Sequence, residues 1–202
     1  MIEKLGIPVF IDRSSYETHP LGRTDWVKIY GAMLDLEDTA EAWFETQNKV
    51  MDDLEDFENT GKTVAFFYMN SDGSVVVRRP GDSVPQMIEL AGGKYVLNDV
   101  GILQETQRSS VSMTMEEFYA NAVDADYIIY NSSIAAPIYS IDDLIGLSPL
   151  FADFKAVKEG NVWLADKYLY QATDIVGELI RDFNRMLTDG SAEEMTFLLK
   201  LS

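Results

Sequence analysis

The chain contains no cysteine. That excludes disulfides, thiolate metal sites, iron–sulfur clusters and a cysteine nucleophile. Histidine occurs once, as His19. Lying before Pro20 in a loop at a helix start, it reads first as structural, and no GxSxG elbow offers it a nucleophile. Cations are scarce as well: 16 Lys and Arg stand against 34 Asp and Glu, for a formal charge of -18. Nucleic acid is therefore an unsuitable partner, because phosphate binding needs clustered Lys and Arg. Anionic lipid is disfavoured for the same reason, whereas solubility and a basic protein partner are favoured. No run approaches the roughly 20 apolar residues of a membrane span. The N-terminus lacks the basic start and unbroken apolar stretch of a signal peptide. Nucleotide loops of the GxGxxG or Walker type are missing, and the carboxylates show no spacing that selects a metal or an acid/base pair. The expectation is a binding protein rather than an enzyme. A His19-dependent enzyme on the same architecture is the remaining alternative.

What is present is a sizeable core. Of 202 residues, 47% are hydrophobic, enough for one large domain or one and a half. The opening "MIEKLGIPVFID" reads as the last turn of a helix, a Gly6 cap and a buried strand over 7–11. That is the second half of a β-α-β crossover. Pro20 opens a helix in which Trp26, Ile29, Tyr30 and Met33 recur at helical spacing. A second helix over 37–58 would be roughly 30 Å long at 1.5 Å per residue, with an acidic end. From Lys62 onward strands alternate with helices. "KTVAFFYM", "SVVVRR", "KYVL", "DYIIYN" and "GNVWLA" read as strands, the first two joined by an "NSDG" turn. "SVPQMIELAGG" reads as a helix with Ser83 and Gln86 at capping-box spacing. "TMEEFYANAV" is a helix capped by Thr114 and Glu117. Segment 98–112 reads as the longest loop. "SAEEMTFLLKL" reads as a last helix, boxed by Ser191 and Glu194. The alternation implies an α/β fold: a three-layer, doubly wound, mainly parallel sheet.

Ligands of such sheets bind beyond the carboxyl ends of the strands. Those ends supply Tyr68, Asn70 and Ser71, then Asn131, Ser132 and Ser133, then Tyr168, Tyr170 and Gln171, with Arg78 and Arg79 close by in sequence. The set offers aromatic walls, hydrogen-bonding groups and cations without a reactive centre. In "TMEEF", Glu117 is engaged by the cap, whereas Glu116 points outward, free to meet an arginine of a partner.

"HPLGRTDWVKIYGAML", "TVAFFYMNSDGSVVVRRPGDSVPQMIELAGGKYVL", "SMTMEEFYANAVDADYIIYNSS" and "LFADFKAVKEGNVWLADKYLYQ" together resemble the substrate-binding proteins of ABC importers for iron–siderophore, haem and cobalamin. These are the class III periplasmic binding proteins, with a long bridging helix. The resemblance runs from residue 7 to about 187. Its most specific elements are the "AGG" after a helix, the strand preceded by "DAD", and "FKAVKEGNVW". It implies two lobes joined by a rigid helix, with ligand between them. Residues 1–12 would then be a remnant of the last strand of the N-terminal lobe, 13–61 a linker helix and the bridge, and 62–202 the C-terminal lobe. The rest of the first lobe, the export signal and the lipid-bearing cysteine would lie outside this sequence. The implied location is extracytoplasmic, periplasmic or as a membrane-anchored lipoprotein. The implied partners are an ABC permease with its ATPase, docked through Glu116, and a small metal chelate. No intrinsic cofactor is implied; the ligand would be a ferric siderophore, haem or cobalamin. Arg78 and Arg79 fit a carboxylate- or catecholate-bearing siderophore, while Tyr68, Tyr168 and Tyr170 fit a haem or corrin face. The alternative is a self-associating module without ligand, a homodimer through the surface the first lobe would have covered. Residues 7–11 would then pair with a neighbouring molecule or pack loosely beside the long helix.

Overall fold

β-branched and aromatic residues concentrate in short runs after Lys62, and those runs become the sheet. The computed structural model describes residues 3–17, 19–54, 59–100, 109–135, 137–169, 173–190 and 192–202, the side chains of 51, 53 and 54 excepted. The strands are β1 (Thr63–Met69), β2 (Val75–Arg78), β3 (Lys94–Tyr95), β4 (Ser110–Met113), β5 (Tyr127–Asn131), β6 (Val162–Ala165) and β7 (Leu198–Lys200). The helices are α1 (Pro20–Leu34), α2 (Glu37–Leu54), α3 (Ser83–Leu90), α4 (Met115–Ala122), α5 (Ile141–Leu147), α6 (Lys155–Lys158) and α7 (Val176–Thr188).

The sheet order is β4-β2-β1-β5-β6-β7, with β3 beside the start of β1. β1, β5 and β6 are parallel neighbours, and β2 and β7 run antiparallel to the strands beside them. The fold is therefore α/β with a mixed, mostly parallel sheet. The central strands are buried on both faces: Val64, Ala65, Phe66 and Phe67 are each at most 1% exposed, as a parallel strand between helical layers requires. One layer is aromatic. Phe67 lies 4.6 Å from Phe118 of α4, 5.4 Å from Phe151 and 5.7 Å from Tyr130, between ring centroids. In the other layer α3 and α7 pack together, and buried Asn184 of α7 donates to the Ala91 carbonyl at 3.1 Å.

Two carboxylates tie the sheet to its surroundings. Asp126 accepts from the Thr63 N–H at 2.7 Å, the Thr63 hydroxyl at 2.8 Å and Lys155 Nζ at 2.6 Å. Burial pushes its carboxyl up, but the Lys155 ammonium and the Thr63 donors outweigh that and hold it below the usual range. Asp182, buried on α7, accepts from the Thr196 and Phe197 N–H groups at 2.8 and 2.6 Å. Here burial dominates and pushes the carboxyl up.

Asp182 also explains one departure from the sequence reading. The last segment is strand β7 rather than a helix. Its lead-in is fixed on Asp182, Glu194 adopts a left-handed φ of 60°, and Phe197, Leu198 and Leu201 turn inward while Leu199 faces out. Ser191 lies outside the described residues. The expected loop over 98–112 ends in β4, which pairs with β2 from Val75↔Met113 to Arg78↔Ser110 and so covers an otherwise open edge; its positions 101–108 lie outside the described residues. The cap of α3 is Asp82, whose carboxylate accepts from the Val84 N–H, rather than a Ser83 box.

Residues 7–11 form no strand. They are exposed and without regular secondary structure, anchored by the Phe10 ring 6.0 Å from both Trp26 and Tyr30 of α1, so they lie on the shorter helix rather than the long one. Gly6 does take the expected left-handed conformation, with φ 72°. α1 begins at Pro20 as expected, with His19 Nδ1 accepting from the Leu21 N–H at 3.2 Å. Its periodic apolar residues, however, are not a buried face: Ile29, Tyr30 and Met33 are exposed. α1 turns back into α2 through Asp35. The turn is so tight that a Cβ on Gly31 would come 2.5 Å from that of Ala40. α2 is described through Leu54; expected helical positions 55–58 lie outside the described residues. It meets α7 along one flank, where Gln47 and Val50 lie over Gly177 and Trp43 Nε1 donates to the Asp174 carbonyl at 3.1 Å. α1 joins the same segment through the Thr24 hydroxyl, 3.0 Å from the Thr173 carbonyl.

Candidate functional site

The carboxyl end of β1 is shaped by its turn. Asn70 N–H reaches the Ser74 carbonyl at 2.9 Å, and Asp72 accepts from both the Ser74 N–H and hydroxyl. Those donors, the hydroxyl foremost, hold the Asp72 carboxyl below its ordinary range. Gly73 supplies the φ of 82° that closes the turn. The turn leaves Tyr68, Asn70 and Ser71 on the rim of a cleft of about 470 Å³, completed by Tyr130, Ile134, Gly146 and Leu147. Burial pushes the Tyr130 phenol up.

The remaining predicted residues divide. Asn131, Ser132 and Ser133 build the turn after β5 rather than line the cleft. Asn131 Oδ1 accepts from the Ser133 N–H and hydroxyl, and the Ser132 hydroxyl donates to the Ala165 carbonyl, which ties the ends of β5 and β6. Tyr168 stands exposed after β6, with Lys167 Nζ 4.8 Å from its ring centroid. Tyr170 and Gln171 lie outside the described residues. Tyr130, Ile134 and Leu147 escaped the sequence reading. A tyrosine at the end of "DYIIY" was the one available signal.

Arg78 sits elsewhere. β2 is antiparallel, so its last residue falls beyond the Phe67↔Val77 pair, toward the middle of β1 rather than its end. Arg78 lies 3.8 Å from Asp82 and donates to the Ser109 hydroxyl at 3.2 Å. The Tyr95 hydroxyl fastens the Arg78 carbonyl at 2.9 Å, and the neighbouring Arg79 N–H donates to the Ser109 carbonyl at 3.0 Å. Arg78 lines a second pocket of about 340 Å³ with Tyr16, Arg23, Asp82, Ser83 and Ser109. Arg23, on α1, is a residue that no sequence signal marked. It also touches the segment after β6, sharing a small gap with Ser83, Leu169 and Thr173.

Glu117 and Thr114 form the expected reciprocal cap: Thr114 N–H to Glu117 at 2.8 Å, Glu117 N–H to the Thr114 hydroxyl at 3.2 Å. Glu116 beside them is exposed and has no hydrogen bond or ion pair among the described residues. The Val75↔Met113 and Met69↔Val75 pairs put the start of α4 at the same end of the sheet as the cleft. α1 and α2 enclose a separate apolar groove of about 770 Å³ lined by Tyr30, Leu34, Leu36 and Trp43.

A family model described as periplasmic binding protein matches residues 2–169. Among curated proteins, the chain is 28% identical over 188 residues to an uncharacterized lipoprotein of Methanocaldococcus jannaschii, covering 92% of this chain and 43% of that protein. The chain thus spans less than half of that relative's length. Among solved structures, an ABC-type Fe3+-hydroxamate transport system protein of Saccharomonospora viridis matches with a TM-score of 0.71 at 15% identity, over 92% of this chain and 63% of that one. The periplasmic haem-binding protein HutB of Vibrio cholerae matches with a TM-score of 0.67 at 18% identity, over 93% and 69%. At such identities the structural likeness shows the fold.

Proposed function

The chain belongs to the periplasmic binding protein family, and on that premise we propose that it is the solute-binding part of an ABC importer receptor for a metal chelate: a ferric siderophore, haem or cobalamin. Family membership supports solute binding. The observation that carries the ligand site is the cleft of Tyr68, Asn70, Ser71 and Tyr130 at the carboxyl ends of β1 and β5, where α/β sheets take ligands. Its aromatic walls and short polar groups suit a large, flat or multidentate chelate. The lipoprotein relative supports work outside the cytoplasm, anchored or periplasmic. Among the described residues no helix is long and apolar enough to cross a membrane.

In this reading α2 is the bridging helix of 13–61, and 62–202 is the ligand-binding lobe. Glu116, unpaired on the cleft's side of the sheet, is the carboxylate that meets an arginine of the permease, whose ATPase drives uptake. Glu116→Arg should abolish uptake by cells and leave ligand affinity unchanged; a loss of affinity would remove it from docking. The ligand reading is tested by thermal shift of the purified chain with ferric siderophores, haem and cobalamins. Saturation at 100 Kd stabilises by about 2.7 kcal/mol, so one chelate class should raise Tm clearly. No shift with any of the three overturns it.

The exposed α1–α2 groove favours a second reading, self-association without ligand. Sedimentation equilibrium separates the two, since a dimer that dissociates on Trp43→Ser and is indifferent to every chelate would replace the receptor reading.

A further inference from the structure

In a chain where 25% of the residues are charged, none of the described residues lining the cleft at the carboxyl end of β1 is. Three lysines lie at the opposite end of the sheet. Lys62 precedes β1, Lys94 pairs with Thr63, and Lys155 is held by Asp126 just before β5. What stands beside the cleft is acidic. Asp72 belongs to the turn that presents Asn70, Ser71 and Gly73, and its carboxylate is fixed there by the Ser74 donors. On α5, Asp142 and Asp143 lie one helical turn before Gly146 and Leu147 of the cleft wall. Asp143 accepts from the Tyr139 N–H at 2.8 Å. Asp142 is exposed and makes no hydrogen bond or ion pair among the described residues. The described cation nearest in sequence to the end of a parallel strand is Lys167. It follows β6, which contributes nothing to the cleft, and its ammonium lies over the Tyr168 ring. The cleft offers hydroxyls instead: among the described residues, neither Tyr68 nor Ser71 spends its hydroxyl on a hydrogen bond.

We infer that this cleft sorts ligands by charge: it takes a ligand face that is neutral or bears a positive group, and it turns away an anion. An anion entering would leave water for a place where no cation meets it. It would do so against carboxylates of its own sign. A neutral face gives up less hydration, and its oxygens accept from Tyr68 and Ser71. An ammonium group fits as well, because a tyrosine ring presents a negative π face to it. The inference rests on the receptor reading and narrows it, away from a polyanionic catecholate complex and toward a neutral or cationic one.

The test is calorimetric titration of the full chain with one chelate in three charge forms. A linear ferric trihydroxamate whose terminal amine is free, acetylated or succinylated keeps the same iron shell while its tail is cationic, neutral or anionic. Cyanocobalamin and its monocarboxylic acid form a second matched pair. In whichever series binds, the anionic member should bind roughly tenfold more weakly than the neutral one at low salt. The gap should close as ionic strength rises from about 0.01 M to about 1 M, over which the screening length falls from about 30 Å to about 3 Å. Asp142→Lys should narrow the gap at low salt by raising the anion's affinity, and the neutral member reports whether the variant's cleft is intact. Equal affinity for neutral and anionic members, tighter binding of the anion, a gap indifferent to salt, or a gap unchanged in Asp142→Lys overturns the sorting by charge and leaves the receptor reading standing. Binding of haem in the thermal-shift screen and of neither series does the same, because haem carries two carboxylates. No binding in either series, with no chelate bound in that screen, removes the receptor reading and this inference together.

Discussion

In the sheet with its flanking helices, called the lobe below, Phe66, Phe67, Tyr130 and Trp163 are each at most 1% exposed, while in the helical hairpin Tyr30, Met33, Leu34 and Trp43 range from 38% to 68% exposed. Both regions are rich in large apolar side chains. They differ in what those side chains face. The lobe encloses these aromatic residues between a sheet and two helical layers, leaving Tyr139 and Tyr168 outside. The hairpin buries Leu21, Thr24, Gly31, Ala40, Gln47 and Val50 on its inner contacts and turns its larger residues outward. Stability therefore resides in the lobe, and the hairpin is held to it by a narrow seam.

The contrast can be broken most forcefully inside the lobe. Phe67→Ala removes a ring that touches Phe118, Phe151 and Tyr130, and should cost about 3–5 kcal/mol in urea unfolding. A cost near that of a surface change would mean the aromatic layer is loosely packed. Next comes the seam. A Cβ at Gly177 would approach the Gln47 carbonyl to 2.8 Å, so Gly177→Ala should cost about 1–3 kcal/mol by overpacking. It should also speed amide exchange in α2 more than in β5; uniform acceleration would show that hairpin and lobe open together. Glu117→Ala, which removes half of the α4 cap, should cost about 1 kcal/mol, with Glu116→Arg nearly silent in the same assay.

A smaller effect is confined to acid. The Asp126 carboxyl is lowered from 3.8 on folding, so its contribution is present above that value and is lost as pH falls through the lower folded one. Asp126→Asn should flatten the stability curve in that window and leave other acid-sensitive groups untouched; an unchanged curve would assign the acid loss elsewhere. With Lys155 43% exposed, solvent screening keeps the difference modest. Least of all, Leu34→Ser on the hairpin should change monomer stability by no more than about 0.5 kcal/mol. A larger loss would mean that the outward face is covered in solution.

The same contrast explains what could be read from residue order. "VAFF" and "YIIY" are continuous apolar runs because their strands are covered on both faces, and Thr114 with Glu117 is a local device whose partners are three residues apart. β4 and β7 left no such trace. "SVSM" is a strand because β2 offers an open edge, and "LLK" because Asp182 fixes its lead-in and β6 accepts it. Both reasons lie far away in sequence. The helical periodicity of Trp26, Ile29, Tyr30 and Met33 gave the right helix and said nothing of what those residues face. Period reports regularity, and burial depends on what stands opposite. Along the cleft, Tyr68, Asn70 and Ser71 were legible as neighbours because strand ends are. Arg23 was not, since only the docking of α1 beside β2 brings it to Arg78.

The seam between hairpin and lobe has a mechanical consequence. Trp43, Gln47, Val50 and Thr24 all bear on one short stretch, from Thr173 to Gly177. α1 also meets α3, where Pro20 and Arg23 share a small gap with Ser83 and Met87, so the hairpin is held at two places. A torque applied at its outer end is delivered to the entrance of α7 and to the start of α3, both in the helical layer over the sheet.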